Sequence, residues 1–124
     1  MSKYIVALDQ GTTSSRSVLF DENGKQIAME QQEFTQIFPE SGWVEHDALE
    51  ILESQLQTFD NLITNNHLEY SKIEAIGITN QRETAVVWNK NTGAPIYNAI
   101  VWQDKRTAFI CEELKEKGLE DYIR

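Results

Sequence analysis

The segment LDQGTTSSR, residues 8–16, places one acid, one glycine, a run of hydroxyl side chains and one arginine between two apolar stretches. The stretch before it, residues 4–8, is short, β-branched and apolar, which is typical of a strand. Residues 15–20 also predict a strand, whereas the Walker P-loop and the dinucleotide-binding turn each open a helix. The sequence therefore predicts a phosphate-binding loop between two strands and excludes both of those motifs.

The side chains of this loop suit a polyphosphate and a divalent cation. We expect Asp9 at the carboxyl end of the first strand, where its carboxylate can hold Mg²⁺ directly or through bound water. Because Gly11 has no Cβ, the backbone there can adopt unusual dihedrals and come close to a phosphate. The alternative is a tight hairpin in which the small polar residues bond their own backbone. The predicted cofactor-binding residues are Asp9, Gly11, Thr12, Thr13, Ser14 and Arg16.

A second candidate site follows the compact apolar strand predicted at residues 73–79. Arg82 and Glu83 come shortly after this strand, and neighbouring side chains of a regular strand point to opposite faces. Both can therefore bind one ligand only where the chain has become irregular. A guanidinium and a carboxylate together donate to and accept from adjacent hydroxyls, which suits a small polyol. The alternative is a structural pair that bonds nearby backbone.

Trp102 ends the apolar segment at residues 96–102, and two roles are open for it. A lone tryptophan in such a position commonly packs into the core. It can also form an apolar wall against the carbon chain of a ligand whose hydroxyls are bound elsewhere. The polar residues 103–106 are interpreted as the start of a helix and receive no role in binding.

The run Glu45-His46-Asp47 contains three metal-ligating residue types, but adjacent side chains rarely converge on one ion. We interpret this segment as a loop that is packed by Trp43 and followed by a helix capped by Asp47. Cys111 is expected in the core, on the apolar face of a later helix. As the only cysteine, it excludes an internal disulfide and fits a reducing, cytoplasmic compartment.

The first half of the chain predicts a meander and a helix. A third strand at residues 26–32 joins the first two antiparallel, with Asn23-Gly24 as the hairpin turn. Asp47 and Glu50 predict a capping box at the start of a helix that ends near residues 65–66. The apolar residues that share one face of this helix are Leu49, Leu52, Leu56, Phe59 and Ile63.

The second half predicts a strand, a hairpin and a helix. Gly77 lies inside the strand, where a neighbouring element is expected to come close. The hairpin joins residues 85–89 to residues 96–102 through a turn at 91–93. A helix follows at 104–117. It is expected to bury Ile110, Cys111 and Leu114 and to end at Gly118.

Four stretches of the sequence resemble the FGGY family of carbohydrate kinases, within the actin-like ATPase superfamily. They are the loop at residues 8–16, GWVEHD at 42–47, IGITNQRET at 76–84 and PIYNAIVWQ at 95–103. The resemblance covers essentially the whole chain and is closest to the branch that phosphorylates glycerol. It implies an α/β fold of the ribonuclease H-like (actin-like ATPase) type, with a mixed sheet, two hairpins and two helices. By periodicity alone, a plain α+β domain would look much the same.

The resemblance also implies a role for each candidate residue. Thr12, Thr13 and Ser14 would contact the phosphates of ATP or ADP. Arg16 would bind ADP, and Asp9 would lie near Mg²⁺. The residues implied for glycerol are Arg82 and Glu83, at its hydroxyls, and Trp102, beside its carbon chain.

A complete member of this branch would transfer the γ-phosphoryl of Mg·ATP to glycerol, giving glycerol 3-phosphate. The family's Asp base, a further substrate Tyr and the adenine pocket are expected beyond Arg124, so no catalytic residue is assigned here. At 124 residues, the chain is expected to be a truncated single domain, the first half of the N-terminal kinase domain, without activity of its own. The full-length protein is implied to be a homo-oligomer. Alternatives are a pentulose or other sugar kinase, an actin-like ATPase or chaperone domain, and a noncatalytic interaction module.

The charge distribution argues against nucleic acid as a partner. The formal charge is −9, and residues 21–60 hold ten acids against one base, Lys25, which leaves no basic stripe. Any phosphate site must therefore be local, built from backbone N–H groups, hydroxyls, Arg16 and Mg²⁺. The sequence contains no apolar segment long enough for a membrane span or a signal peptide, so no membrane association is expected.

Overall fold

The computed structural model of the protein describes residues 3–123. Its strands are β1 (Tyr4–Gln10), β2 (Ser14–Asp21), β3 (Gln26–Glu33), β4 (Glu45–His46), β5 (Ile73–Thr79) and β6 (Ala99–Ile100). Its helices are α1 (Ala48–Asn65), α2 (Ala108–Glu116) and α3 (Glu120–Ile123), and a 3₁₀ turn at Tyr70–Lys72 precedes β5. Four strands form a mixed sheet in the order β3-β2-β1-β5, and β4 pairs with β6.

The predicted meander is confirmed. β1 pairs antiparallel with β2, and β2 pairs antiparallel with β3. The turn between β2 and β3 is held by the Asp21 carboxylate, which accepts hydrogen bonds from the backbone N–H groups of Asn23 and Lys25 at 2.9 Å. Gly24 follows Asn23 with a φ of 77°, a left-handed conformation that favours glycine.

β5 brings a second loop beside the first. It pairs in parallel with β1, from Tyr4 opposite Ile73 to Asp9 opposite Thr79. The chain therefore leaves β1 and β5 at the same end of the sheet. The close approach expected at Gly77 is absent, because no described residue other than its two chain neighbours has an atom within 4 Å of a Cβ placed there.

The predicted first helix is present as α1, and Asp47 caps it. The Asp47 carboxylate accepts from the backbone N–H groups of Leu49 at 2.9 Å and Glu50 at 3.4 Å. The helix ends at Asn65, as expected. The second part of the expected capping box is wrong, because the Glu50 carboxylate accepts from the N–H and the hydroxyl of Thr35, each at 2.9 Å. This bond ties α1 to the segment after β3.

The apolar face expected for α1 is only partly the face that packs. Phe59 packs against the core and Ile63 is buried. Leu49, Leu52 and Leu56 are each more than half exposed. The shared apolar face therefore does not place these three leucines in the core.

The buried face of α1 instead presents hydroxyl groups to β2. Ser54 pairs with Ser15 at 2.7 Å, and Thr58 pairs with Ser17 at 2.9 Å. These pairs satisfy hydroxyls that would otherwise be buried without partners. One turn further on, Leu62 joins Val6 and Leu19 in the apolar core.

The second predicted hairpin is only partly regular. Its turn is confirmed, because the Gly93 N–H donates to the Asn89 carbonyl at 2.8 Å and Gly93 has a φ of 75°. The prediction of continuous strands on both sides of this turn is wrong. Isolated bridges replace them, as between Ala85 and Ile100. β6 pairs with β4 as well, so this segment links the hairpin to the start of α1.

The last part of the chain is more exposed than expected. α2 begins at Ala108 and not at residue 104, because turns occupy the preceding residues. Ile110 and Cys111, which were expected in the core, are exposed, while Leu114 is partly buried. Gly118 follows the end of α2 as predicted, with a φ of 72°. Within residues 3–123, no helix has the length and apolar composition that crossing a membrane requires.

Candidate functional site

A cavity of about 350 Å³ lies between the loop after β1 and the loop after β5. It opens at the carboxyl ends of two adjacent parallel strands, the place where α/β sheets generally bind ligands. The structure therefore brings part of the predicted phosphate loop together with all three predicted polyol residues. The cavity is lined by Gln10, Gly11, Thr12, Asn80, Gln81, Arg82, Glu83 and Trp102.

Gly11 closes the phosphate loop tightly. Its N–H donates to the Ser14 carbonyl at 2.9 Å, and a Cβ on residue 11 would lie 2.9 Å from that same oxygen. Real Cβ atoms essentially never come so close to another atom. Gly11 is not among the residues with positive φ, so the expected unusual dihedral is wrong. The missing Cβ matters because the loop folds back on itself.

The predicted phosphate-binding hydroxyls have different surroundings. Thr12 lines the cavity, and Thr13, the next residue, is exposed. Ser14 is buried at the start of β2, where its hydroxyl accepts from the Gln31 side chain at 3.0 Å. The phosphate-binding roles of the three residues stay predictions, and Thr12 is the one of them that lines the cavity.

Asp9 and Arg16 lie opposite each other in the β1–β2 ladder and form an ion pair of 2.5 Å. Neither residue lines the cavity. Among the described residues, no group of three or more His, Cys, Asp or Glu side chains is placed to hold a metal. Mg²⁺ in phosphoryl-transfer sites commonly takes one or two carboxylates together with substrate phosphates and water, and Asp9 fits that limited role.

The loop after β5 has the irregularity that the sequence argument required. β5 ends at Thr79, and Glu83 has a φ of 59°, which is uncommon for a residue other than glycine. Arg82 and Glu83 are exposed, and within residues 3–123 their side chains form no ion pair. Strained backbone of this kind often marks a functional site. Both side chains are therefore free to bind a ligand in the cavity.

Trp102 is a wall of the cavity and not a core residue. Its side chain is 51% exposed. The indole Nε1 donates to the Thr12 hydroxyl at 3.1 Å, across 90 residues of sequence. Within residues 3–123 Trp102 lines the cavity and does not pack in the core, and its role beside a ligand stays a prediction.

Arg106 is the centre of a buried cluster that the sequence interpretation missed. It was assigned to a polar helix start without a role, but its side chain is only 15% exposed. Nη2 donates to Glu45 at 2.7 Å and to Asp104 at 2.8 Å, and Nε adds a second bond to Asp104 at 2.9 Å. The guanidinium also lies 3.7 Å from the ring centroid of Trp43, a cation–π contact.

The carboxylates of this cluster join separate segments. Glu45 accepts from the Tyr97 hydroxyl at 2.8 Å and from the Asn98 amide at 2.9 Å. Asp104 accepts from the backbone N–H of Val44 at 2.7 Å. The turn that carries Trp102 is thereby attached to the segment before α1.

The charges of the cluster shift one another's pKa values. The hydrogen bonds from Arg106 lower the pKa of Asp104 to about 2, against the opposing effect of burial. Burial alone would raise the pKa of Glu45, but the bonds from Arg106, Asn98 and Tyr97 outweigh it, so this pKa is also lowered. Both carboxylates are therefore held in the charged form.

The sequence interpretation also missed a chain of hydrogen bonds that connects His46 to the phosphate loop. His46 is fully buried, and its Nε2 lies 2.7 Å from the Gln36 amide oxygen. The Gln36 amide nitrogen donates to the Thr12 carbonyl at 3.3 Å. Burial lowers the pKa of His46, although the nearby Gln81 side chain and Glu50 oppose that shift. A neutral imidazole donating from Nε2 fits these partners.

A protein-family model matches nearly the whole chain. Residues 4–124 match the sequence model of the FGGY family of carbohydrate kinases, N-terminal domain. This range covers nearly the whole chain, including both walls of the cavity.

Curated relatives are named glycerol kinase. The protein of Vibrio cholerae serotype O1 is 60% identical over 122 residues, which is 98% of this chain and 24% of that protein. The protein of Alkaliphilus metalliredigens is 58% identical over 124 residues, which is 100% of this chain and 25% of that protein. The chain thus spans about a quarter of the length of these relatives.

Solved structures of kinases have the same fold. A gluconate kinase from Lactobacillus acidophilus aligns with a TM-score of 0.88 at 27% identity, over 99% of this chain and 24% of the other. A Plasmodium falciparum glycerol kinase with ADP aligns with a TM-score of 0.83 at 33% identity, over 93% of this chain and 23% of the other.

Proposed function

The chain belongs to the FGGY family of carbohydrate kinases, and we propose that it is the N-terminal part of an ATP-dependent glycerol kinase. The longer protein would transfer the γ-phosphoryl of Mg·ATP to glycerol, giving glycerol 3-phosphate. The observation that carries the proposal is the cavity in which Gly11 and Thr12 face Arg82 and Glu83. Identities of 58% and 60% to relatives named glycerol kinase support the choice of substrate.

The nucleotide side of the cavity is the loop after β1. We assign Thr12 and Thr13 to the phosphates of ATP or ADP, because Thr12 lines the cavity and Thr13 is the next, exposed residue of the same loop. Ser14 is assigned to the same phosphates through its backbone N–H, since its hydroxyl is bound to Gln31. Arg16 would reach the nucleotide by leaving or sharing its bond with Asp9.

The proposed substrate is Mg·ATP, so residues of this chain would also have to accommodate Mg²⁺. When bound, the ion neutralises phosphate charge. The residue of this chain that would hold it is Asp9, directly or through water, because a carboxylate at the end of β1 lies beside the phosphate loop. The acidic chain gives little long-range attraction for ATP, so these local groups must supply the binding.

The polyol side is the loop after β5 together with Trp102. Arg82 donates to glycerol hydroxyls and Glu83 accepts from them, while the indole covers the carbon chain. Such an arrangement holds the acceptor hydroxyl in place beside the phosphates, and positioning of this kind supplies much of the rate in phosphoryl transfer. The proton of that hydroxyl needs a carboxylate that the family resemblance places after Arg124, so no residue of this chain is given that role.

The proposal also covers the fold type, the cellular location and the oligomeric state. We assign residues 1–124 to the first half of an N-terminal kinase domain with a ribonuclease H-like fold, as the alignments with kinase structures support. A cytoplasmic location follows from the use of ATP. We also propose that the longer protein forms a homo-oligomer, and the family resemblance is the support for this.

A second candidate is a kinase for another sugar. The structural similarity to a gluconate kinase and to a ligand-bound xylulose kinase, each at 27% identity, supports it. The Arg82-Glu83 pair and the higher identity to glycerol kinases favour glycerol. Membership of the FGGY family sets aside the actin and chaperone alternatives.

Activity of the longer protein on glycerol and on pentuloses tests the proposal. In a coupled assay, we expect glycerol to be preferred, and Arg82→Ala or Glu83→Ala to lower kcat/KM for glycerol roughly 10- to 100-fold, the effect of a hydrogen bond with a charged group. Lys90→Ala, at an exposed cation of the second hairpin, is the matched control and should change nothing. Preference for pentuloses together with silent Arg82 and Glu83 variants would show that glycerol is the wrong substrate.

The 124-residue chain by itself is expected to be inactive. It supplies one wall for the phosphates and one for the polyol, and two partial walls cannot align the acceptor with the γ-phosphate. The same assay with the isolated chain should detect no glycerol-dependent release of ADP. Turnover of about 1 to 100 per second, the usual range for kinases, would mean that the chain contains a complete site.

A further inference from the structure

One hydrogen bond connects the two walls of the cavity. The indole Nε1 of Trp102 donates to the Thr12 hydroxyl at 3.1 Å. Thr12 belongs to the phosphate loop, and Trp102 belongs to the polyol wall. Both side chains line the same cavity.

The chemistry of this bond fixes the direction of the Thr12 hydroxyl. An indole N–H is a donor only, so the threonine oxygen must accept from it. The hydroxyl hydrogen must then point away from Trp102. It remains available for an acceptor on the other side, such as a phosphate oxygen in the cavity. A hydroxyl that accepts one hydrogen bond also becomes a better donor of the next.

Hydrogen bonds of the residues on either side of Trp102 fix the turn that carries it. The Val101 N–H donates to the Val44 carbonyl at 3.1 Å, and the Asp104 N–H donates to the Val101 carbonyl at 2.9 Å. The buried Asp104–Arg106 ion pair anchors the end of the same turn. The indole is therefore presented by a fixed turn, although its ring is exposed.

We propose that Trp102 is a positioning residue for the nucleotide as well as a wall for the polyol. Its indole N–H orients the Thr12 hydroxyl, so that this hydroxyl donates to a phosphate oxygen of bound ADP or ATP. The inference rests on the proposed function. It also implies that glycerol and nucleotide reinforce each other's binding, because glycerol packed on the indole and a phosphate bonded to Thr12 would share the Trp102–Thr12 hydrogen bond.

The experiment separates the ring of Trp102 from its N–H. Trp102→Phe keeps most of the apolar wall but removes the donor. In the longer protein, calorimetric titration with ADP should show affinity weakened roughly three- to tenfold, the range of one neutral hydrogen bond. The matched control is Trp88→Phe, because Trp88 is also exposed and lies outside the cavity.

A double-mutant cycle identifies Thr12 as the partner. In a Thr12→Val background, Trp102→Phe should have no further effect on ADP affinity, because the acceptor is already gone. In a Thr12→Ser background the effect should persist. Loss of the Trp102 N–H should also reduce the gain in glycerol affinity that ADP produces.

Two results overturn the inference. One is unchanged ADP affinity in Trp102→Phe, and the other is an equal effect of Trp102→Phe with and without the Thr12 hydroxyl. Both leave the proposed function intact if the wild-type protein phosphorylates glycerol. A wild-type protein that fails to bind ADP would overturn the proposed function and this inference together.

Discussion

The two halves of this molecule are stabilised by different forces. The half formed by β1, β2, β3 and α1 has long, regular strands and a core of Val6, Leu19 and Leu62. The half from residue 80 to 118 has short strands and exposed apolar side chains, and its turns are fixed by the Arg106 cluster. Each half supplies one wall of the cavity.

This difference matches what each wall is proposed to bind. The phosphate wall lies between paired strands, where a fixed backbone can be preorganised for phosphate oxygens. The polyol wall lies on loops, and the turn that carries its Trp102 is held by two buried carboxylates and one guanidinium. Loops on a rigid scaffold commonly carry specificity. We therefore expect the two walls to respond differently to mutation and to acid.

The largest expected effect is loss of the Arg106 cluster. Arg106→Ala would leave Glu45 and Asp104 buried without their cation, at a cost of about 3 to 5 kcal/mol. The loss should be local. Hydrogen exchange of the longer protein should show deprotection of residues 42–46 and 101–107, with residues 15–33 unchanged. Lys105→Ala, a change at the neighbouring exposed cation, is the control, and equal deprotection in both variants would contradict the assigned role.

A smaller effect is expected at Gly11. Gly11→Ala forces a Cβ to within 2.9 Å of the Ser14 carbonyl, and overpacking of this kind costs about 1 to 3 kcal/mol. ADP binding should weaken as the loop shifts. Gly77→Ala is the matched control, because a Cβ there meets no described atom within 4 Å. Gly77→Ala should be neutral or slightly stabilising. For both variants, calorimetry measures the ADP affinity and thermal unfolding measures the stability. Wild-type ADP affinity in Gly11→Ala would mean that the close turn is unimportant.

The smallest expected effect is a difference in acid sensitivity. The folded-state pKa of Asp104 is about 2, below its ordinary 3.8, and that of Glu45 is also below its ordinary 4.5. The stability that these groups contribute is therefore complete above pH 4.5 and is lost as the pH falls towards about 2. Protection factors, corrected for intrinsic exchange, should fall first in residues 42–46. Asp104→Asn should reduce this dependence of stability on pH. If the protection factors of residues 15–33 fell at the same pH as those of residues 42–46, the prediction would be contradicted.

Short sequence motifs predicted most of the turns, caps and helix ends in the first half of the chain. The Asn23-Gly24 turn, the Asp47 cap and the end of α1 each depend on residues close in sequence. The packing face of α1 was not predictable in this way, because the helical period groups Leu49, Leu52 and Leu56 without telling which face meets the sheet. The buried hydroxyl pairs of Ser54 and Thr58 depend on β2, which lies far away in sequence.

The second half depends on contacts that the sequence does not display. Arg106 binds Glu45, 61 residues away, so a polar run was mistaken for a helix start. The position of Arg82 and Glu83 beside the phosphate loop follows from the parallel pairing of β1 with β5. The structure shows where the candidate residues lie, and their roles in binding stay predictions.

The central claim, that one cavity joins a nucleotide wall to a polyol wall, is tested most directly by four titrations of the longer protein. Thr13→Ala and Arg82→Ala are each titrated by calorimetry with ADP alone and with glycerol alone. Thr13→Ala should weaken ADP binding by roughly 10- to 100-fold and leave glycerol binding largely intact, and Arg82→Ala should do the reverse. Wild-type affinities in both variants, or equal loss of both ligands in each, would contradict the claim.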